Sequence, residues 1–173
     1  MNKRLRPKSL MELPVVFSVR ELKMMGYEGF LSKTLERMAK EGLVKRLGYG
    51  LFLNMFKKDD LIMEDVARRY LPFPIVAGCT VLHEAGVIDQ IPRELDVICI
   101  ARSAPSIEGI HVSLRSKRWL AAIKQRGELI PGSDRHLPRL TPQAAWREML
   151  AEGRTFGLHE DDLDWDAMDL GGI

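Results

Sequence analysis

The chain is poor in the residues and runs that most reaction chemistries and membrane anchors need. It has two cysteines, Cys79 and Cys99, set far from any metal-ligand spacing. Both stand among apolar neighbours, which favours reduced, buried thiols over a disulfide. No stretch approaches the ~20 consecutive apolar residues of a membrane-spanning helix. The start, Met1-Asn2-Lys3-Arg4-Leu5-Arg6, is basic, but no apolar run of signal-peptide length follows it, so the expected compartment is the cytoplasm. The histidines His83, His111, His136 and His159 form no local ligand pair. His83-Glu84 lacks the second histidine of a zinc-hydrolase helix, and neither a G-x-S-x-G nor a P-loop occurs. Gly48-Tyr49-Gly50 begins like a dinucleotide loop, but no third glycine follows and its flanks read as two strands. These absences point away from an enzyme, a cofactor, a metal site or a small-molecule substrate.

The formal net charge of +2 conceals an uneven distribution. Residues 1–58 hold 13 Lys and Arg against 5 Asp and Glu, a net of +8, whereas residues 59–157 hold 13 of each. Residues 158–173 hold no base and six acids: Glu160, Asp161, Asp162, Asp164, Asp166 and Asp169. A basic unit at one end suits a phosphate backbone. An acidic tail after it is expected to be solvated and structureless, the alternative being that it competes with DNA for the basic face or meets a protein partner.

Local signals divide the basic segment into elements. Lys3 to Leu13 is predicted as a short helix ended by Pro14, because proline disfavours the helical conformation in the residue before it. Val15-Val16-Phe17 reads as extended. Ser18-Val19-Arg20-Glu21 is a capping-box pattern opening a helix that carries Leu22 and Met25 and stops at Gly26. After Tyr27-Glu28-Gly29, a second helix is expected from Phe30 to Glu41. Leu31, Leu35, Met38 and Ala39 form its core stripe, while Lys33, Arg37 and Lys40 fall on the opposite face. Leu43 to Leu47 and Leu51 to Leu53, joined by Gly48-Tyr49-Gly50, read as a hairpin. A helix, a glycine-bearing turn, a cationic helix and then a hairpin make up the order of a winged helix-turn-helix. The predicted duplex-DNA contacts are Ser32, Lys33, Thr34, Arg37 and Lys40 on the helix, with Lys45, Arg46 and Tyr49 on the hairpin.

The remainder reads as a small α+β domain over residues 59–157. Asp59 or Asp60 is expected to cap a helix from Leu61 to Tyr70, broken by Leu71-Pro72-Phe73-Pro74. Ala77 to Ala85 reads as a helix, Leu95 to Ala101 and Gly109 to Leu114 as strands, and Lys117 to Arg126 as a helix. Leu137 to Leu140 reads as a short strand, and Thr141-Pro142 opens a helix over Gln143 to Glu152. The overall expectation is an α+β chain: a winged helix over residues 1–58, the second domain, and the acidic tail over 158–173. Met11, Met24, Met25, Met38, Met55 and Met63 are expected as core filler, and Trp119 and Trp146 as anchors of the second domain. Between Arg102 and Arg126 six bases face the single acid Glu108. This is either a solvated face or a second DNA patch carried by Arg115, Lys117 and Arg118.

The segments Phe17-Ser18-Val19-Arg20-Glu21-Leu22 and Leu35 through Phe52 resemble the N-terminal domain of AbiEi-type antitoxins, of the bacterial type IV toxin–antitoxin and abortive-infection systems. The similarity continues through Thr80-Val81-Leu82-His83-Glu84-Ala85-Gly86-Val87-Ile88-Asp89-Gln90-Ile91-Pro92 and Arg139-Leu140-Thr141-Pro142-Gln143-Ala144, but not into the acidic tail. The resemblance implies a transcriptional repressor that binds inverted repeats in its own promoter. It also implies a second domain that counteracts a nucleotidyltransferase-like toxin, typically without a stable complex. It carries the DNA role to Lys33, Arg37, Lys40, Lys45, Arg46 and Tyr49. The competing expectation is a protein-interaction module with a degenerate winged helix and no specific DNA target.

Overall fold

The computed structural model describes residues 3–166. The chain is a mixed α+β protein of two compact units: residues up to Val66 with Pro105–Glu108, and Ala67–Ala104 with the residues from Gly109 onward. Among the described residues no helix is long and apolar enough to cross a membrane.

In the first unit a 3-10 turn, Pro7–Glu12, precedes strand β1 (Val16–Ser18), helices α1 (Val19–Met24) and α2 (Leu31–Lys40), and strands β2 (Val44–Gly48) and β3 (Leu51–Asn54). The helix expected over Lys3 to Leu13 is thus confined to six residues in the tighter 3-10 form. Its first residues are drawn elsewhere: Lys3 donates from its amide to the Gly26 carbonyl and accepts from the Glu28 amide, both at 3.0 Å. The capping box at Ser18 forms as its sequence dictates. The Ser18 hydroxyl accepts from the Glu21 amide at 3.2 Å, and the Glu21 carboxylate accepts from the Ser18 amide at 2.7 Å. Gly26 ends the turn after α1 at φ +83°, where a side chain would be strained.

The three strands order as β1-β3-β2, all antiparallel, with a bulge between Arg46 and Gly48. Beneath them Phe17, Leu22, Leu31, Leu35, Met38, Val44 and Phe52 share one core. Asn54 is wholly buried at the end of β3, donating to the Leu10 carbonyl at 2.6 Å and accepting from the Phe56 amide at 3.2 Å. The methionines are not the core filler expected of them. Met38 is buried, whereas Met11, Met24 and Met25 are exposed and Met55 and Met63 only half-buried. The six-residue α1 buries Leu22 alone; Met24 lies 200° further round at 100° per residue, and Met25 falls past the last helical turn as the C-cap.

Asp59 and Asp60 do not cap a helix at Leu61. They close a second 3-10 turn, Met55–Asp60, and helix α3 (Met63–Tyr70) starts later, with Glu64 and Asp65 in its first turn. The division between the units falls within α3.

The second unit holds strand β4 (Pro74–Val76), helix α4 (Gly78–Glu84), strands β5 (Leu95–Ile100) and β6 (Ile110–Arg115), helix α5 (Lys117–Gln125), strands β7 (Leu129–Ile130) and β8 (Arg139–Leu140), and helix α6 (Pro142–Glu152). Its sheet runs β6-β5-β4-β8-β7. β5 pairs parallel with β6 and antiparallel with β4, which meets β8 in parallel. The Thr141 hydroxyl caps α6 through the Ala144 amide.

Helix α4 has no capping side chain of its own; Asp96 of β5 supplies one, accepting from the Cys79 amide at 3.0 Å. The substitution of any side chain at Gly78 is blocked twice: its φ is +56°, and a Cβ would lie 2.7 Å from the Asp96 carboxylate. Burial raises the Asp96 carboxyl above its ordinary range, against the opposing attraction of His111.

Cys79, Leu82, Val87, Ile88, Trp146 and Met149 form the second core. Cys79 and Cys99 are buried free thiols. The acidic segment is not structureless over its described part. Leu163 is buried in this core, Leu158 and Trp165 pack against it, and the Asp164 amide donates to the Val87 carbonyl at 3.0 Å. Three apolar residues interleaved with the acids supply an anchoring face that a count of charges overlooks. Asp169 lies outside the described residues.

Candidate nucleic-acid interface

Helix α2 is built with two unlike faces. Leu31, Leu35 and Met38 bury themselves in the first core at 4%, 0% and 0% exposure, which fixes the helix's rotation about its axis. Ser32, Lys33, Arg37 and Lys40 are consequently exposed, and Thr34 is half-buried. The Lys33 ammonium lies over the Phe30 ring, 5.4 Å from its centroid, and the Arg37 guanidinium approaches Glu41 one turn on at 3.7 Å. Both contacts are at the surface, where such pairs contribute ~0–1 kcal/mol and leave the cations available to another anion.

The β2–β3 hairpin extends the set. Lys45 and Arg46 are exposed, and Tyr49 at the tip is 94% exposed. Gly50, at φ +68°, permits the tight reversal. The Arg46 Nε donates to the Gly48 carbonyl at 3.2 Å across the bulge, which restrains the guanidinium near the tip. Of the sequence-predicted residues, Ser32, Lys33, Thr34, Arg37, Lys40, Lys45, Arg46 and Tyr49 all belong to the first unit, on one helix and one hairpin.

Two residues of this surface were missed in the sequence. Phe30, 81% exposed, precedes Lys33 by three residues and Arg37 by seven, so helical spacing alone places it on the cationic stripe. Glu108 gave no such signal. Pro105–Glu108 belongs to the first unit, where the Glu108 amide donates to the Leu47 carbonyl at 2.6 Å and its carboxylate pairs with Lys45 at 2.8 Å. The close approach requires glycine at position 48, because a Cβ there would run into the Ser106 carbonyl oxygen.

In the second unit the three bases expected to make a further DNA patch separate. Lys117 and Arg118 are exposed at the start of α5. Arg115 is turned to the protein: its guanidinium lies 3.0 Å from Glu148 and 2.5 Å from Glu152 of α6. The Trp119 indole donates to Glu148 at 2.9 Å and the Ser113 hydroxyl to Glu152 at 2.9 Å, so the two carboxylates tie β6, α5 and α6 together. Burial opposes the Arg115 charge, but the hydrogen bonds with Glu152 and Glu148 outweigh it and hold the guanidinium more firmly protonated than in water. An arginine so engaged is turned to α6 rather than presented outward with Lys117 and Arg118.

Among the described residues no group of three or more His, Cys, Asp and Glu is arranged to hold a metal ion. Comparison with protein-family models and with curated protein sequences gave no match.

Proposed function

We propose that residues 16–56 are a winged helix-turn-helix that binds duplex DNA, and that the protein is a transcriptional repressor. The carrying observation is the two-faced α2, whose apolar stripe is consumed by the core while Lys33, Arg37 and Lys40 are exposed, as are the hairpin residues Lys45, Arg46 and Tyr49. Cations that take no part in holding the fold are free to neutralise phosphates, and the exposed first turn of such a helix is what enters a major groove. The hairpin that follows is the wing, and its aromatic tip suits a minor groove or backbone contact.

The resemblance to AbiEi-type antitoxins extends this reading to autoregulation of a toxin–antitoxin operon through inverted repeats in its promoter. The second unit then counteracts a nucleotidyltransferase-like toxin. Fluorescence anisotropy with duplexes from the region upstream of the gene, against random duplex of equal length, tests the DNA-binding part. Tighter binding to an upstream inverted repeat than to random duplex supports the proposal, and equal affinity for both contradicts repression at a specific operator. Co-expression with an adjacent nucleotidyltransferase-like gene, read as growth rescue, tests the antitoxin part.

A further inference from the structure

Phe30 stands where stability alone would put a different residue. It is the N-cap of α2, a position at which Ser, Thr, Asp or Asn would accept from an early helix amide, and no side chain caps this helix. The ring is 81% exposed, the most of any phenylalanine in the chain. It lies on the same stripe as Lys33 and Arg37, with the Lys33 ammonium 5.4 Å from its centroid. The helix thus forgoes a cap and leaves a large apolar ring in water on the face that carries its cations.

We propose that Phe30 is a specificity-determining residue that reads the 5-methyl group of thymine in the major groove. The inference rests on the DNA-binding reading above and deepens it. In helix-turn-helix proteins the N-terminal residues of the second helix meet the base edges. A phenyl ring neither donates nor accepts a conventional hydrogen bond, so it cannot read the polar pattern of those edges. The thymine C5-methyl is the apolar feature of the major groove, and contact with it is a recognised use of phenylalanine. Lys33 against the ring holds it on the DNA-facing stripe by cation–π attraction and is itself placed for the neighbouring phosphate.

The test begins with selection of preferred duplexes from a random pool by the full-length protein. The preferred duplex is then remade with deoxyuridine replacing thymidine at each position in turn, which removes one methyl group and nothing else. Each version is titrated with the native protein and with F30A. The proposal predicts that at one or two positions of each half-site the native protein binds more weakly by a factor of about four. That corresponds to burial of one methyl at about 0.8 kcal/mol, with about 1.4 kcal/mol per tenfold. F30A should bind the thymidine and deoxyuridine versions equally and retain the native dependence on salt. Native protein indifferent to deoxyuridine at every position, or F30A weakened by deoxyuridine as much as native, overturns the proposal while leaving DNA binding intact. Selection that enriches no sequence overturns specific DNA recognition itself, and this inference with it. The native-protein arm involves no variant, so a folding defect in F30A cannot mask the outcome.

Discussion

Lys45 and Glu108 form an ion pair at 2.8 Å across 63 residues of sequence, which gives the cationic hairpin a counter-ion of its own. If the proposed wing contacts DNA, an anionic side chain beside Lys45 opposes it in two ways: it occupies the ammonium and repels the phosphate backbone. Replacing Glu108 by Gln should therefore tighten binding to duplex DNA at low salt. Exposed pairs contribute ~0.2–1 kcal/mol, so the gain is expected to be up to about fivefold and to shrink as salt rises. Anisotropy titrations of both proteins at two salt concentrations measure it. Unchanged or weaker binding of E108Q would place Lys45 outside the interface.

The second unit's basic residues should divide by experiment as they do in space. Arg115→Ala leaves Glu148 and Glu152 without their shared cation and should lower thermal stability while leaving the salt dependence of DNA binding unchanged. Lys117→Ala and Arg118→Ala should be nearly neutral for stability, within ~0.5 kcal/mol. If their cations touch phosphate, each substitution should flatten the slope of log affinity against log salt by up to ~0.9. A flattened slope in R115A would show that the arginine leaves its carboxylates to meet DNA.

Asn54 should be far more sensitive to substitution than its polarity suggests. Its buried amide ties the end of β3 to the Leu10 carbonyl. Asn54→Ala should destabilise the first unit by ~1–3 kcal/mol, the cost of leaving a buried backbone acceptor unpaired. Chemical denaturation of native and variant protein measures this directly, and a difference within error would show that water replaces the amide at no cost.

Glu128 carries a pH dependence whose sign is fixed by its partners. Hydrogen bonds from Arg147, and secondarily from Arg126, lower its carboxyl to about 2 from an ordinary 4.5. A depressed folded-state value means that the carboxylate contributes stability above about pH 4.5 and loses it as pH falls toward 2. E128Q should therefore be less stable than native protein at neutral pH, with the difference closing as pH drops through that window. A difference that stays constant over the range would show that the ion pairs do not stabilise the fold.

The legible parts of this sequence were those with local, redundant signals. Ser18 with Glu21, Thr141 with Pro142, and the Leu31-Leu35-Met38 stripe each fix an element from within a few residues, and each forms as read. Strands β4 and β7, of three and two residues, were not legible because the turn and proline signals around them, Leu71-Pro72-Phe73-Pro74 and Pro131-Gly132, read as breaks and loop. Their place depends on pairing with distant strands. The contribution of Pro105–Glu108 to the first unit, and the turning of Arg115 toward α6, are likewise tertiary facts. No local pattern distinguishes an arginine facing two glutamates 33 and 37 residues away from one facing solvent. The acidic segment misled for a related reason, since six charges outweigh Leu158, Leu163 and Trp165 in composition but not in packing.

The central claim is that the outer face of α2 binds DNA while its inner face holds the fold, and the triple variant K33A/R37A/K40A tests both halves together. The account predicts a melting temperature close to native, because none of the three side chains enters the core. Binding to duplex DNA should collapse, with any residual slope of log affinity against log salt reduced by as much as ~0.9 for each phosphate no longer neutralised. A stable triple variant that binds duplex DNA with native affinity and native salt dependence would contradict it.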